Sequence, residues 1–124
     1  MSRRLLVALA GIATALAVAG TALSQGQATP KLVGTVGPAY TIKLTKAGVK
    51  VRTLKAGAYK FVISDKASIH NFTLEQQTGG KFEKHLTGTA FTGTKTVTLT
   101  LKRGKWKYYC SVHESLMHGF FTVK

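Results

Sequence analysis

The stretch Tyr109-Cys110-Ser111-Val112-His113-Glu114-Ser115-Leu116-Met117-His118-Gly119 gathers a thiol, two imidazoles and a thioether. Cys110 is the only cysteine of the chain. A further imidazole, His70, stands upstream in Ser68-Ile69-His70-Asn71-Phe72. Two His, one Cys thiolate and a weak axial Met form the set that holds copper for electron transfer. Thiolate and imidazole satisfy both Cu(I) and Cu(II), so an electron can pass with little rearrangement. A lone Cys means little by itself, because most free cysteines are small buried hydrophobes. An unpaired Cys in an exported chain is a different matter and asks for a reason. Cys110, His70 and His113 are therefore the strong-ligand candidates. Met117 is the axial candidate, with the adjacent His118 as its alternative.

Such ligands need rigid elements on both sides. Helical periodicity is absent, and alternation bounded by turn residues dominates. Thr96-Val97-Thr98-Leu99-Thr100-Leu101-Lys102 puts apolar residues on one side and Thr/Lys on the other, as in a half-buried strand. Arg103-Gly104 turns the chain, and Lys105-Trp106-Lys107-Tyr108-Tyr109-Cys110 alternates again. Further strands are expected over 31–36, 40–45, 49–54, 58–64, 71–75 and 120–123. Gly37-Pro38, Ala47-Gly48, Ala56-Gly57 and Gly79-Gly80 punctuate them. The expected fold is all-β, an antiparallel Greek-key sandwich of about eight strands. Residues 77–92 read as a long connection with a short helical turn. Cys110 then closes one strand and Gly119 opens the next, so three candidate ligands share one loop. His70 sits at the start of a neighbouring strand.

At these residues the chain resembles the small blue copper proteins, the cupredoxins of the plastocyanin/amicyanin-like group. The resemblance covers residues 31–124. It is carried by His70-Asn71, by Cys110 and His113 in the Cys-x-x-His pattern, and by Met117 two residues before Gly119. It implies one bound copper ion, with Asn71 bracing the ligand loop by hydrogen bonding at Ser111. It also implies that His113 lies near the surface as the electron port, with Leu116 in a small docking patch. The loop departs from its relatives. Three residues, Glu114, Ser115 and Leu116, separate the second His from the Met, and the Pro often found beside that His is missing.

Residues 1–24 read as a signal peptide: Arg3 and Arg4 precede an uncharged apolar run, and Ala22-Leu23-Ser24 offers a cleavage site. The run is also just long enough to stay as an anchor. The Arg3-Arg4 pair leaves both the general secretory and the twin-arginine routes open. Residues 25–30 form a linker, and residues 31–124 one domain. Export places the protein in the periplasm, the cell envelope or the medium.

The formal charge is +14, from 18 Lys+Arg and 4 Asp+Glu. Without Arg3 and Arg4 it is +12. Such a charge attracts an acidic redox partner or an anionic membrane or wall surface; export argues against nucleic acid. A monomer is expected. Asp65, Glu75, Glu83 and Glu114 are too scattered for paired-carboxylate catalysis, and no nucleophile motif is present, so no enzyme activity is expected. His85 reads as a solvent-facing loop histidine. Asn71-Phe72-Thr73 matches a glycosylation sequon, but Asn71 is claimed by the site. The functional expectation is single-electron transfer by a copper protein. Copper storage, delivery or sensing on the same scaffold is the alternative, and a metal-free basic binding module a more distant one.

Overall fold

A computed structural model describes residue 20 and residues 27–124. The expected signal peptide, apart from residue 20, and the first two linker residues lie outside the described residues. The rest forms ten strands: β1 (Lys31–Val36), β2 (Ile42–Lys46), β3 (Val49–Lys50), β4 (Thr53–Leu54), β5 (Gly57–Asp65), β6 (Thr73–Gln76), β7 (Glu83–His85), β8 (Gly93–Leu101), β9 (Gly104–Tyr109) and β10 (His118–Val123). They make two five-stranded sheets, ordered β3-β2-β1-β5-β8 and β4-β10-β9-β6-β7. Among the described residues no helix is long and apolar enough to cross a membrane.

Alternation decides which faces meet. Tyr59, Phe61 and Ile63 of β5 point inward, as do Trp106 and Tyr108 of β9 and Phe121 and Val123 of β10. Phe72 stacks on Tyr108 at 5.9 Å between centroids, and Trp106 on Phe121 at 6.2 Å. The polar tips stay satisfied, as buried Tyr and Trp require. Tyr59 donates to the Lys55 carbonyl at 2.7 Å, and the Trp106 indole N–H donates to the Lys102 carbonyl at 2.9 Å.

The sandwich differs from the expected one in three ways. The sheets are mixed: β1 runs parallel to β5, and β4 parallel to β10. The stretch 49–54 is two strands, because the chain crosses from one sheet to the other there. Val51 is buried at the crossing, and its N–H donates to Leu44 at 3.0 Å. Residues 77–92 hold strand β7 in place of a helical turn. All three residues of β7 are exposed, so no apolar alternation marks it.

Strand directions define two ends. Val36, Asp65 and Gly93 come level at one end of the first sheet, and His118, Tyr109, Thr73 and His85 form the matching row of the second. The loops holding His70 and Cys110 close this end. Lys31 beside Lys60, and Val123 beside Gly104, mark the opposite end.

Gly119 shows how tightly β9 and β10 fit. A Cβ there would overlap the Tyr108 ring and hydroxyl. Overpacking of this kind costs about 1–3 kcal/mol. Gly119→Ala should therefore lower the melting temperature of the copper-free protein by several degrees, as read by thermal unfolding. An unchanged melting temperature would mean that Tyr108 can move aside freely.

Candidate metal centre

The ligand loop is a set of tight turns between β9 and β10. His113 N–H donates to the Cys110 carbonyl at 3.1 Å, and Leu116 and Met117 N–H both donate to the His113 carbonyl, at 3.0 and 2.9 Å. Cys110 N–H closes the loop on the Met117 carbonyl at 3.0 Å. His70 lies between β5 and β6, in a turn where its N–H points to the Ala67 carbonyl at 3.4 Å. Asp65 Oδ1 accepts the Ala67 N–H at 3.2 Å and holds the start of that turn.

These two segments bring three donors together. His70 Nδ1 and His113 Nδ1 are 3.1 Å apart, and Cys110 Sγ lies 3.9 Å from the first and 3.8 Å from the second. His70 and Cys110 are fully buried, and His113 is half-buried. With bond lengths of about 2.0 Å to nitrogen and about 2.3 Å to sulfur, all three donors would reach a single ion. The donors are one thiol and two imidazoles, which suits a soft or borderline transition metal. Met117, at the end of the loop, is fully buried. His118 is exposed, and its Nδ1 lies 2.8 Å from the Glu114 carbonyl, a bond it makes as donor.

Asn71 ties the two segments. Its backbone N–H donates to Cys110 Sγ at 3.4 Å. Its side-chain carbonyl accepts Ser111 N–H at 2.9 Å, and its amide donates to Ser111 Oγ at 2.7 Å and to Thr89 Oγ1 at 2.9 Å. Thr73 Oγ1 donates to the same carbonyl at 2.9 Å and lies 2.7 Å from His85 Nδ1. With its proton on Asn71, Thr73 must accept from His85. The expected Asn71–Ser111 pair is thus present, and it is larger than expected. His85 lies on β7 rather than in a loop, at the outer end of this chain of bonds.

Tyr40 also escaped the sequence reading. Its ring stands edge-on to both imidazoles, 5.5 Å from His70 and 4.9 Å from His113, and is 54% exposed. It comes from the turn after β1, which Gly37 N–H and the Thr41 carbonyl close at 2.9 Å. No local pattern announces this contact. Thr73 could have been found, since residues two apart at a strand start share a face with Asn71.

Charge around the site is sparse. Burial pushes the Asp65 carboxyl above its ordinary 3.8, against the lowering effects of the Ala67 amide and the nearby His70. Its Oδ2 and His70 Nε2 have no hydrogen-bond partner among the described residues. The Tyr109 phenol is pushed far up by burial and by Glu83, whose Oε1 accepts its proton at 2.5 Å. Lys107 Nζ donates to Glu114 of the ligand loop.

No protein-family model matches the chain, and no curated protein matches it in sequence. Solved structures do. The copper protein rusticyanin is 17% identical with a TM-score of 0.57, over 80% of each chain. Auracyanin A, a "blue" copper protein from the green thermophilic photosynthetic bacterium Chloroflexus aurantiacus, is 16% identical with a TM-score of 0.55, over 78% of this chain and 100% of that one. A reduced Cu(I) form of an amicyanin variant is 18% identical with a TM-score of 0.50, over 79% and 86%. At such identities the likeness is one of fold.

Asp65 gives a prediction for the copper-free protein. A carboxyl raised by folding binds its proton more tightly folded than unfolded. Its contribution to stability therefore falls as pH rises from about 3.8 through the raised value. Urea unfolding between pH 3.5 and 7 should show the wild type losing stability relative to Asp65→Asn as pH rises. Parallel curves would mean that the carboxyl is as well solvated folded as unfolded.

Proposed function

We propose that this chain, which has the cupredoxin fold, binds one copper ion and carries single electrons between redox partners. The triangle of His70, Cys110 and His113 carries the reading. Cys110 is the thiolate ligand, the two imidazoles the other strong ligands, and Met117 the weak axial one. When bound, the copper supplies a one-electron Cu(I)/Cu(II) couple.

The chain's own residues do the rest. Asn71 N–H, directed at Cys110 Sγ, stabilises negative charge on sulfur. The Asn71–Ser111 bonds keep the ligand loop in register with His70 in either oxidation state. Tyr40 covers the imidazoles and limits water access, while half-buried His113 leaves an edge for transfer. Buried ligands in a loop closed on itself favour a resident ion over an exchangeable one. That favours electron transfer over storage or delivery. Nothing in the donor set calls for substrate chemistry, so the reading is a carrier rather than an enzyme, exported by its leader.

One spectroscopic series tests the site. The copper-loaded wild type should be intensely blue through charge transfer from Cys110 to Cu(II). Cys110→Ser should stay folded and lose the colour. Met117→Leu should keep copper and raise the reduction potential, because losing a weak donor disfavours Cu(II) more than Cu(I). His118→Ala should change neither. A blue Cys110→Ser protein sinks the proposal, and a His118 variant with altered colour moves the axial assignment.

Docking follows from the apolar surface around the site. Tyr40, Ile69, Val112 and Leu116 are 54%, 52%, 54% and 66% exposed, and all flank the ligand turns. The sequence expectation was that net charge draws an acidic partner to this patch. Register instead puts Lys31 and Lys60 toward the opposite end, about 17 Å from the Val36–Asp65 row at about 3.3 Å per residue. The Debye length is about 8 Å in physiological salt. Apolar contact therefore governs docking here, and Lys43, Lys66, Lys95 and Glu114 modulate it. Leu116→Asp should slow bimolecular transfer at least tenfold, and raising salt should slow the wild type by less. A steep salt dependence with no Leu116 effect would restore the acidic-partner reading.

A further inference from the structure

We propose that the end of the sandwich opposite the ligand loops is a docking surface for an anionic membrane, holding the ligand end turned away from the lipid.

The observation is how charge is laid out along the strands. Lys31 opens β1 and lies level with Lys60 of β5. Lys102 and Arg103 form the β8–β9 turn at the same end, where Leu101 comes level with Gly57. Lys55 and Lys124 are brought together there, because Ala56 N–H donates to the Lys124 carbonyl at 2.8 Å and Lys124 N–H to the Leu54 carbonyl at 2.9 Å. All six are exposed. The turn backbone is committed elsewhere. The carbonyls of Lys55, Lys102 and Arg103 accept from Tyr59, Trp106 and Gln76. The turns are thus rigid, while the charged side chains project outward.

No acidic side chain opposes them. The chain has four acids. Asp65 is buried at the ligand end and Glu114 lies in the ligand loop. Glu75 and Glu83 pair across β6 and β7, level with Lys107 of β9. Cations do occur at the ligand end, at Lys43, Lys66 and Lys95, but there they share the surface with Glu114. The result is a pole whose charged side chains, among the described residues, are all basic.

A lipid surface fits this pole better than a soluble partner for two reasons. The cations ring an end of the sandwich rather than line a cleft, so they can meet a flat anionic plane together. The chain also enters the fold from this end: Lys60 N–H donates to the Pro30 carbonyl at 2.9 Å, just before β1. The described chain therefore joins the fold at the pole and not at the ligand end. Each Lys or Arg near an anionic membrane contributes about fivefold in affinity, and the attraction fades beyond a Debye length. The opposite end, with the apolar patch, stays free in solution.

The test uses the full chain without copper, so that it stands apart from the copper reading. The quantity read is the ratio of its affinities for two vesicle types, phosphatidylcholine with phosphatidylglycerol and phosphatidylcholine alone. That ratio cancels any contribution of the apolar N-terminal run. Two triple variants remove equal charge: Lys55→Gln with Lys102→Gln and Arg103→Gln at the pole, and Lys43→Gln with Lys66→Gln and Lys95→Gln at the ligand end. The pole triple should lower the ratio on the order of a hundredfold, and the ligand-end triple by less than tenfold. Nitroxide-headgroup lipids should broaden the amide signals of Lys55 and Arg103 and spare Val112 and Leu116; the same spectra report that each variant is folded. Equal losses in the two triples would show that net charge alone acts. A ratio near one would overturn the proposal. So would tighter binding to soluble polyglutamate than to anionic vesicles, which would give the pole to an acidic protein.

Discussion

The side chain of Asn71 is the fastening on which the site depends. It joins the turn before β6 to the loop after β9, two segments 40 residues apart in sequence. All four of its hydrogen-bonding capacities are used, by Ser111 twice, Thr89 and Thr73. A buried carboxamide left half-satisfied is costly, whereas one fully bonded adds rigidity. This arrangement leaves Asn71 one orientation, and that orientation also sets its N–H against Cys110 Sγ. The three donors therefore stand within one metal ion's reach of each other. A site held this way spends little on reorganisation when an ion binds or changes charge.

The sandwich makes that fastening possible by fixing what lies on either side of it. β6 and β9 pair directly, Thr73 against Tyr109, so the residues just beyond each strand must come close. β9 and β10 pair from Tyr109–His118 down to Gly104–Val123, which gives the ligand loop two anchored ends. Behind them, Phe72, Tyr108 and Phe121 form a layer whose fit leaves no room for a side chain at Gly119. The metal centre thus sits on the rim of a packed core.

Much of this was legible in the sequence, for a local reason. Cys110, His113 and Met117 share one short loop, and the alternation of Trp106 and Tyr108 before it and Phe121 and Val123 after it marks strands without reference to any other part of the chain. His70 could be linked to them through the His70-Asn71 pair. The illegible features are those that only the assembled fold creates. Tyr40 reaches the imidazoles across a turn between other strands. The parallel pairing of β1 with β5 follows from where β2 returns. β7 is a strand only because β6 offers it an edge, since Glu83, Lys84 and His85 show no buried face. The positions of the lysines were likewise invisible as a pole, because alternation says which side of a sheet a residue faces and nothing of which end.

Lys107 shows how the remaining acids serve the same end. It lies on the outer face of β9, yet its side chain is only 11% exposed. The rings of Tyr109 and Phe120 cover it, with its ammonium 4.8 and 5.8 Å from their centroids. An ammonium so shielded needs a partner, and Glu114 supplies it from the ligand loop. Exposed ion pairs are worth little, but breaking a largely buried one leaves an uncompensated charge. The pair therefore resists opening more than a surface bridge would. The Glu114 carbonyl, held by His118, adds a second hold on the same residue. The ligand loop is consequently fastened at Ser111 by Asn71 and at Glu114 by Lys107 and His118. His113 lies between these two points, so a half-buried ligand can meet solvent while its backbone stays fixed.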